Sequence, residues 1–414
     1  MSSAISRPLE GIRVLDLTVA LAGPYGSLLL GGLGAEVIHI ESPGGGDVAR
    51  NNPPYVGSDG LNFGAKGEKE VSLSILNRAR NKKSITLDLK TREGRELFFR
   101  LVKESDVVIE NLSEGAANRL GVGYEQTSNV NPRIVYASIS AFGEPSVYQG
   151  LKGMDILVQA LSGLMEVTGF ADGPPTRVGI PIADMLAPLF SVNGVLAALI
   201  QRGRTGEGQH VKVAMLDCLA SLVAEEHFDI FGRGGHAMRS GNSLNRLVPF
   251  GVYACKDGYA AIIAFRPEWM AGLVDAMRRP ELLQDPRFSS QGARTQNAAE
   301  FNEILEDWVR THTTAELVYE LFEKRQIPVV RVRTPIEMLN DSSLQERGAL
   351  MKLEHPMIGN VKAIGMGNPI RFSKAHAQFD QPAQDLGAAN EEIYGGLLNL
   401  SSQELDELHA TGVI

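Results

Sequence analysis

Short apolar runs alternate with amphipathic ones along the first half of the chain. RVLDL (13–17) predicts a strand, GSLLLGGLG (26–34) a helix closed by Gly34, and AEVIHIE (35–41) a second strand. SITLDL (84–89) alternates with period two and predicts a third strand. REGRELFFRLVKES (92–105) predicts an amphipathic helix and DVVIEN (106–111) a fourth strand. RIVYASISAFG (133–143) reads as a fifth strand, 154–165 as a helix, 185–202 as one long apolar helix and GQHVKVAML (208–216) as a further strand. Strands separated by helices imply a parallel sheet covered on both faces, with ligands bound beyond the carboxyl ends of the strands. The site is therefore expected in the segments that follow strands: TVALAGPYG, SPGGGD, NLSEG and AFGEPS.

After about residue 225 the pattern changes. FGRGGHAMRSGNSLNRLVP is rich in glycine and asparagine and reads as a linker, and 250–265 as a hairpin turning at Lys256-Asp257-Gly258. Helices are expected at about 297–311 and 313–325, the second capped by Thr313 or Thr314, and PVVRV (328–332) as a strand. This places a smaller α+β domain at 226–330. The tail, 331–414, shows no core of its own and is expected to return to the first domain, so that 1–225 and 331–414 form one discontinuous large domain.

Composition narrows the function classes. Of 414 residues, 43% are apolar and 21% charged, as in ordinary globular proteins. A formal net charge of -9 disfavours a general nucleic-acid or membrane-surface role. Cys218 and Cys255 form no C-x-x-C pair, and no apolar leader opens the sequence, so a cytoplasmic protein is expected. The most apolar window, 185–200, is short for a membrane span and is interrupted by Pro188, Asn193 and Gly194.

Candidate chemistry is sparse. Gly44 to Gly46 match neither a phosphate loop nor a dinucleotide fingerprint and read as a flexible turn. Arg78, Arg80, Lys82 and Lys83 precede a strand, either as a solvated basic edge or as a site for an anion. Asn111 either fits a turn or fixes a ligand through its amide. The histidines, His39, His210, His227 and His236 among them, show no metal-ligand spacing, and no G-x-S-x-G elbow occurs. Asp184 stands at the head of the apolar helix, where pattern alone favours a helix cap. A partly dehydrated carboxylate is also a usable nucleophile toward an activated acyl group.

Seven blocks in order, from PLEGIRVLDLTVALAGPYGSLLLGGLGAEVIHIESPGGGDVAR through NKKSITLDLK, DVVIENLSEGAANRLGVGYE, NPRIVYASISAFG, GMDILVQALSGLMEVTG and DGPPTRVGIPIADM to RTGEGQHVKVAMLD, resemble the class III CoA-transferase family. The resemblance implies an α/β fold: a Rossmann-like six-stranded parallel sheet in the large domain, a small α+β domain, linkers near 200–226 and 325–350, and an interlocked, ring-like homodimer. It implies an acyl-CoA:carboxylate CoA-transferase with Asp184 as nucleophile, coenzyme A as part of a substrate, no tightly bound cofactor and no metal.

By the same resemblance Ala22 offers a backbone contact near the thioester. Leu87 to Lys90 line the adenine, with Lys90 a phosphate partner. Asn111, Leu112 and Ser113 form a CoA-contacting turn, Arg119 is a phosphate cation, and Leu151, Lys152 and Met154 belong to the stretch before an active-site helix. Ser42 stands where many relatives carry an arginine, and Leu21 where formyl-CoA transferases carry glutamine. Met154 replaces the histidine of the racemase branch, which needs a titratable group there, so a 2-methylacyl-CoA racemase and a non-catalytic CoA-binding protein are the lesser alternatives. Arg246 is the candidate to hold the far carboxylate of a dicarboxylic acceptor, with succinyl-CoA as donor.

Overall fold

Six of the apolar runs pair into one parallel sheet: β1 (Arg13–Asp16), β2 (Glu36–Glu41), β3 (Lys82–Thr86), β4 (Val107–Glu110), β5 (Val135–Ser140) and β6 (His210–Ala214). The computed structural model describes residues 6–58, 60–235, 237–244 and 246–414. Sheet order is β3-β2-β1-β4-β5-β6, so the direction of winding reverses between β1 and β4. Leu15 pairs with Ile38 and Val108, and Val108 with Tyr136, giving an apolar row across four strands. Helix α3 (Arg92–Lys103) covers this face with Phe98 and Leu101, both fully buried.

The opposite face carries α1 (Ala22–Gly32) and α5 (Ile182–Thr205). Between them in the chain lie α2 (Leu73–Arg78) and α4 (Asp155–Leu161). Helix α5 buries Ala183, Ala187, Ser191 and Val195 at four-residue spacing, a ridge of small side chains that permits close packing. A Cβ on Gly26 of α1 would lie 3.5 Å from Pro188 and 3.3 Å from Ile109, and one on Gly194 would collide with Val211 at 2.5 Å. At 24 residues the helix is longer than the sequence suggested and, by length and composition, enough to cross a membrane. Its buried ridge instead faces α1 and the sheet. The helix expected over 154–165 is broken at Gly163, which has φ 84, into Asp155–Leu161 and Leu164–Val167.

The chain divides into two compact units, one of 1–162, 179–225 and 341–414, the other of 163–178 and 226–340. In the first, the tail lies against the sheet. Tyr394 Oη donates to Thr86 O at 2.8 Å, Asp88 N–H donates to Val413 O at 2.8 Å, and Ile393, Val413 and Ile414 join the core around Leu15 and Phe98. In the second, β7 (Phe250–Cys255), β8 (Gly258–Ile263) and β9 (Val329–Arg331) form an antiparallel sheet. Cys255 pairs with Gly258, leaving Lys256 and Asp257 as the hairpin turn. Thr313 and Glu316 form a reciprocal capping box.

Candidate active site

In sheets of this kind ligands bind beyond the strand ends at the switch point, which here falls between β1 and β4. Ala22 begins α1 just after β1 and is 5% exposed. Leu87 follows β3, is buried, and donates its N–H to Glu41 O at 2.8 Å. Lys90 is exposed, its turn gripped by Arg95, whose Nη1 donates to Lys90 O at 2.8 Å and Leu89 O at 3.2 Å. Asn111, Leu112 and Ser113 follow β4, with Leu112 N–H donating to Glu110 Oε2 at 2.8 Å. Arg119 is exposed and donates to Glu114 O at 3.0 Å. Leu151, Lys152 and Met154 are exposed on the stretch leading into α4, and Met154 occupies that helix's N-cap. All of these belong to the unit that carries Asp184; Arg246 belongs to the other, where it is ion-paired with Glu226.

Asp184 is not the helix cap that its position suggested. Helix α5 begins at Ile182, three residues earlier than expected, so Asp184 is its third residue, and the N-cap is Pro181, which has no polar side chain. The cap comes from α4: Asp155 Oδ1 accepts the Ala183 N–H at 2.8 Å, and its Oδ2 accepts from Gln159 Nε2 at 2.7 Å. With that amide satisfied by Asp155, the carboxylate of Asp184 is left half-buried with no hydrogen bond from any described residue. Burial, and then the negative charge of Asp155, raise its pKa from 3.8 to about 6, against the opposing pull of Arg78.

Arg78 ends α2, and its Nε is buried without a hydrogen-bond partner. Burial depresses its pKa, and the carboxylates it senses are Asp47 and Asp184. Of the other three cations, Arg80 and Lys82 turn inward, contrary to both sequence readings, while Lys83 stays part-exposed in surface ion pairs. Arg80 donates to Asn77 Oδ1 at 2.9 Å and Met366 O at 2.7 Å. Lys82 Nζ meets Asp16 Oδ2 at 3.1 Å and Ser27 Oγ at 2.8 Å, and Lys83 pairs with Glu36 and with Glu392 at 2.8 Å. The glycine turn is likewise a built feature: at φ 73, Gly46 leaves no room for a Cβ, which would lie 2.6 Å from Glu41 Oε2. Ser42 beside it is exposed. His39 is buried against Asp16, with Nδ1 3.0 Å from Oδ2, and His210 stacks on Tyr124; His236 lies outside the described residues.

Asp155→Asn tests this account of the carboxylate pair. It retains an acceptor for Ala183 N–H while deleting the charge that raises the Asp184 pKa, so the acid limb of any Asp184-dependent activity moves to lower pH. Asp155→Ala also loses the cap, and urea titration should show a stability loss of about 1–2 kcal/mol.

The family model of CoA-transferase family III matches residues 9–390. The succinyl-CoA:mesaconate CoA-transferase of Haloarcula hispanica is 37% identical over 370 residues, 88% of this chain and 90% of that protein. The succinyl-CoA–D-citramalate CoA-transferase of Chloroflexus aurantiacus is 36% identical over 411 residues, 99% of this chain and 98% of that one. Among solved structures, a CaiB/BaiF family protein from Brucella suis superposes with a TM-score of 0.81 at 32% identity, over 95% of this chain and 100% of that chain.

Proposed function

The chain belongs to CoA-transferase family III, and on that premise we propose that it moves coenzyme A from an acyl-CoA donor, succinyl-CoA, to a small dicarboxylic acid, through covalent intermediates on Asp184. The observation that carries this reading is the state of Asp184: a half-buried carboxylate with no hydrogen bond from any described residue, at the start of a helix whose cap is supplied by another residue. A carboxylate stripped of hydrogen bonds and water is a better nucleophile than a solvated one.

The cycle runs by exchange at carbonyl carbons. An oxygen of Asp184 attacks the donor thioester, the C–S bond breaks, and a mixed anhydride and CoA thiolate result. The thiolate attacks the Asp184 carbonyl and expels the donor acid, leaving an aspartyl-CoA thioester. The acceptor carboxylate then displaces the thiolate to form a second anhydride. The thiolate returns to the acceptor's carbonyl, releasing the new acyl-CoA and free Asp184. No ATP is consumed, because every intermediate keeps an activated acyl bond. Ala22, Leu87, Lys90, Leu112, Ser113, Arg119, Leu151, Lys152 and Met154 belong to the CoA side of this reading, supported by their placement on the same unit as Asp184.

Two observations favour a dicarboxylic acceptor. The relatives above are named for mesaconate and D-citramalate, both dicarboxylic acids, with succinyl-CoA as donor. Arg78 also offers a largely desolvated guanidinium with an unpartnered Nε whose charge acts on Asp184, a fork suited to a second carboxylate. Arg246 is already engaged by Glu226. The racemase alternative requires proton transfer at a position where this chain has Met154. The reading also takes the protein as a homodimer, supported by the exposed Leu189, Phe190 and Ile200 on α5.

The pH profile is the first test. The nucleophile must be ionised, so kcat/KM for acyl-CoA rises with pH through an acid limb near the Asp184 pKa of about 6 and falls about tenfold per pH unit below it. A limb near pH 4 contradicts the assignment.

A further inference from the structure

Three successive residues between β1 and α1 are held by side chains from the ends of two strands and from the turn after a third. Asp16, at the end of β1, accepts the Thr18 N–H at 2.9 Å. Asn111, just past β4, accepts the Val19 N–H at 2.8 Å and donates to Val19 O at 3.0 Å, so its amide closes the loop as a backbone strand would. Asp47, in the turn after β2, accepts the Ala20 N–H at 2.9 Å. Ala20 has φ 66, a left-handed conformation that a residue with a side chain keeps only where its surroundings impose it.

The holding groups are themselves fixed. Asp47 is 3% exposed, its Oδ1 also accepts from Ala49 N–H at 2.9 Å, and its own N–H donates to Glu41 Oε2 at 2.8 Å. Gly23 lies so close beneath the loop that a Cβ there would sit 2.3 Å from Thr18 and 2.8 Å from Asn111. The loop leads into the first turn of α1, and one turn later Gly26 faces Pro188, one turn past Asp184. The two helices flank the same sheet face and pack against each other.

We infer that Asp47 and Asn111 are positioning residues of the transfer reaction: through the 18–20 backbone they fix the start of α1 relative to Asp184. This rests on Asp184 being the nucleophile. The role of the two side chains requires no contact with the reacting atoms. Their work is to hold the reacting geometry within the tolerance that acyl transfer demands, where a misplacement of about 1 Å costs roughly 100-fold in rate. Asn111 is thereby assigned to holding Val19 rather than to CoA, since each end of its amide already bonds that residue.

The test uses the purified full chain and succinyl-CoA without acceptor, read by rapid quench. The wild type should release succinate in a burst of about one per chain as Asp184 takes up CoA. Asp47→Ala and Asn111→Ala should slow the burst at least about tenfold while the KM for succinyl-CoA moves less than about threefold. Asp47→Asn keeps an acceptor for Ala20 N–H and should recover to within about threefold of the wild type. Positioning is overturned if Asn111→Ala raises KM but leaves the saturated burst rate intact, or if Asp47→Asn is as slow as Asp47→Ala. If Asp47→Ala fails to fold, Asn111→Ala and Asp47→Asn still decide. A wild type that turns over with no burst refutes the nucleophile assignment itself, and this inference falls with it.

Discussion

Asp184→Asn lowers kcat by roughly ten-thousand-fold or more, because an amide cannot form the anhydride or the thioester. The same change makes the protein more stable above pH 6. Asp184 has a folded pKa of about 6 against an ordinary 3.8, so the folded state binds the extra proton between those values. The neutral form is therefore favourable to folding below about pH 4, and that advantage is lost as pH rises through about 6. Above it, an ionised, half-buried carboxylate opposes folding. Asparagine removes this cost. Discounted for partial solvent access, the gain is on the order of 1–2 kcal/mol at pH 8 and close to zero at pH 4. Thermal melts at the two pH values read it directly. A dead variant that is also destabilised at pH 8 would place Asp184 in a structural role instead.

Arg78→Met lowers kcat/KM for the dicarboxylic acceptor by roughly 100-fold and leaves a monocarboxylate of similar length within about threefold. Two effects separate here. Losing a guanidinium that grips a distal carboxylate penalises only acceptors that have one. Losing a positive charge that acts on Asp184 affects every substrate, and its signature is a shift of the acid limb to higher pH, since Arg78 holds the Asp184 pKa down. Both should appear in the same variant. Equal loss for mono- and dicarboxylates would reduce Arg78 to electrostatic support, and Arg246→Ala would then be the next variant to assay. On the present account Arg246→Ala leaves the acceptor KM within about twofold, because that guanidinium is ion-paired with Glu226.

The parallel sheet was legible in the sequence because its strands are apolar runs bounded by turn residues, and each lies within a few residues of its expected place. The helix break at Gly163 followed from local chemistry and was readable from Ser162-Gly163, but the apolar run around it masked the signal. What no local pattern carries is pairing over long sequence distances. Asp155 caps a helix 28 residues downstream, so Asp184 looked like the cap that helix needed. Asn111 answers to Val19, 92 residues away, and so read as a turn residue or a ligand contact. Lys82 and Lys83 looked like a basic edge because Asp16, Glu36 and Glu392, which neutralise them, lie far off in the chain. Sequence resemblance, not spacing, singled out Asp184 as a nucleophile. The structure adds the physical circumstances: a burial-raised pKa, a neighbouring carboxylate engaged elsewhere, and one desolvated cation.

On the proposed mechanism CoA becomes covalently attached to Asp184 during turnover. The most direct measurement is peptide mass spectrometry after acid quench of the protein turning over succinyl-CoA without acceptor. The expected result is CoA joined as a thioester to the peptide containing Asp184, removed by hydroxylamine with formation of the aspartyl hydroxamate, and absent from Asp184→Asn. Efficient transfer with CoA or acyl found on another side chain, or with no adduct at any point of the cycle, would contradict it.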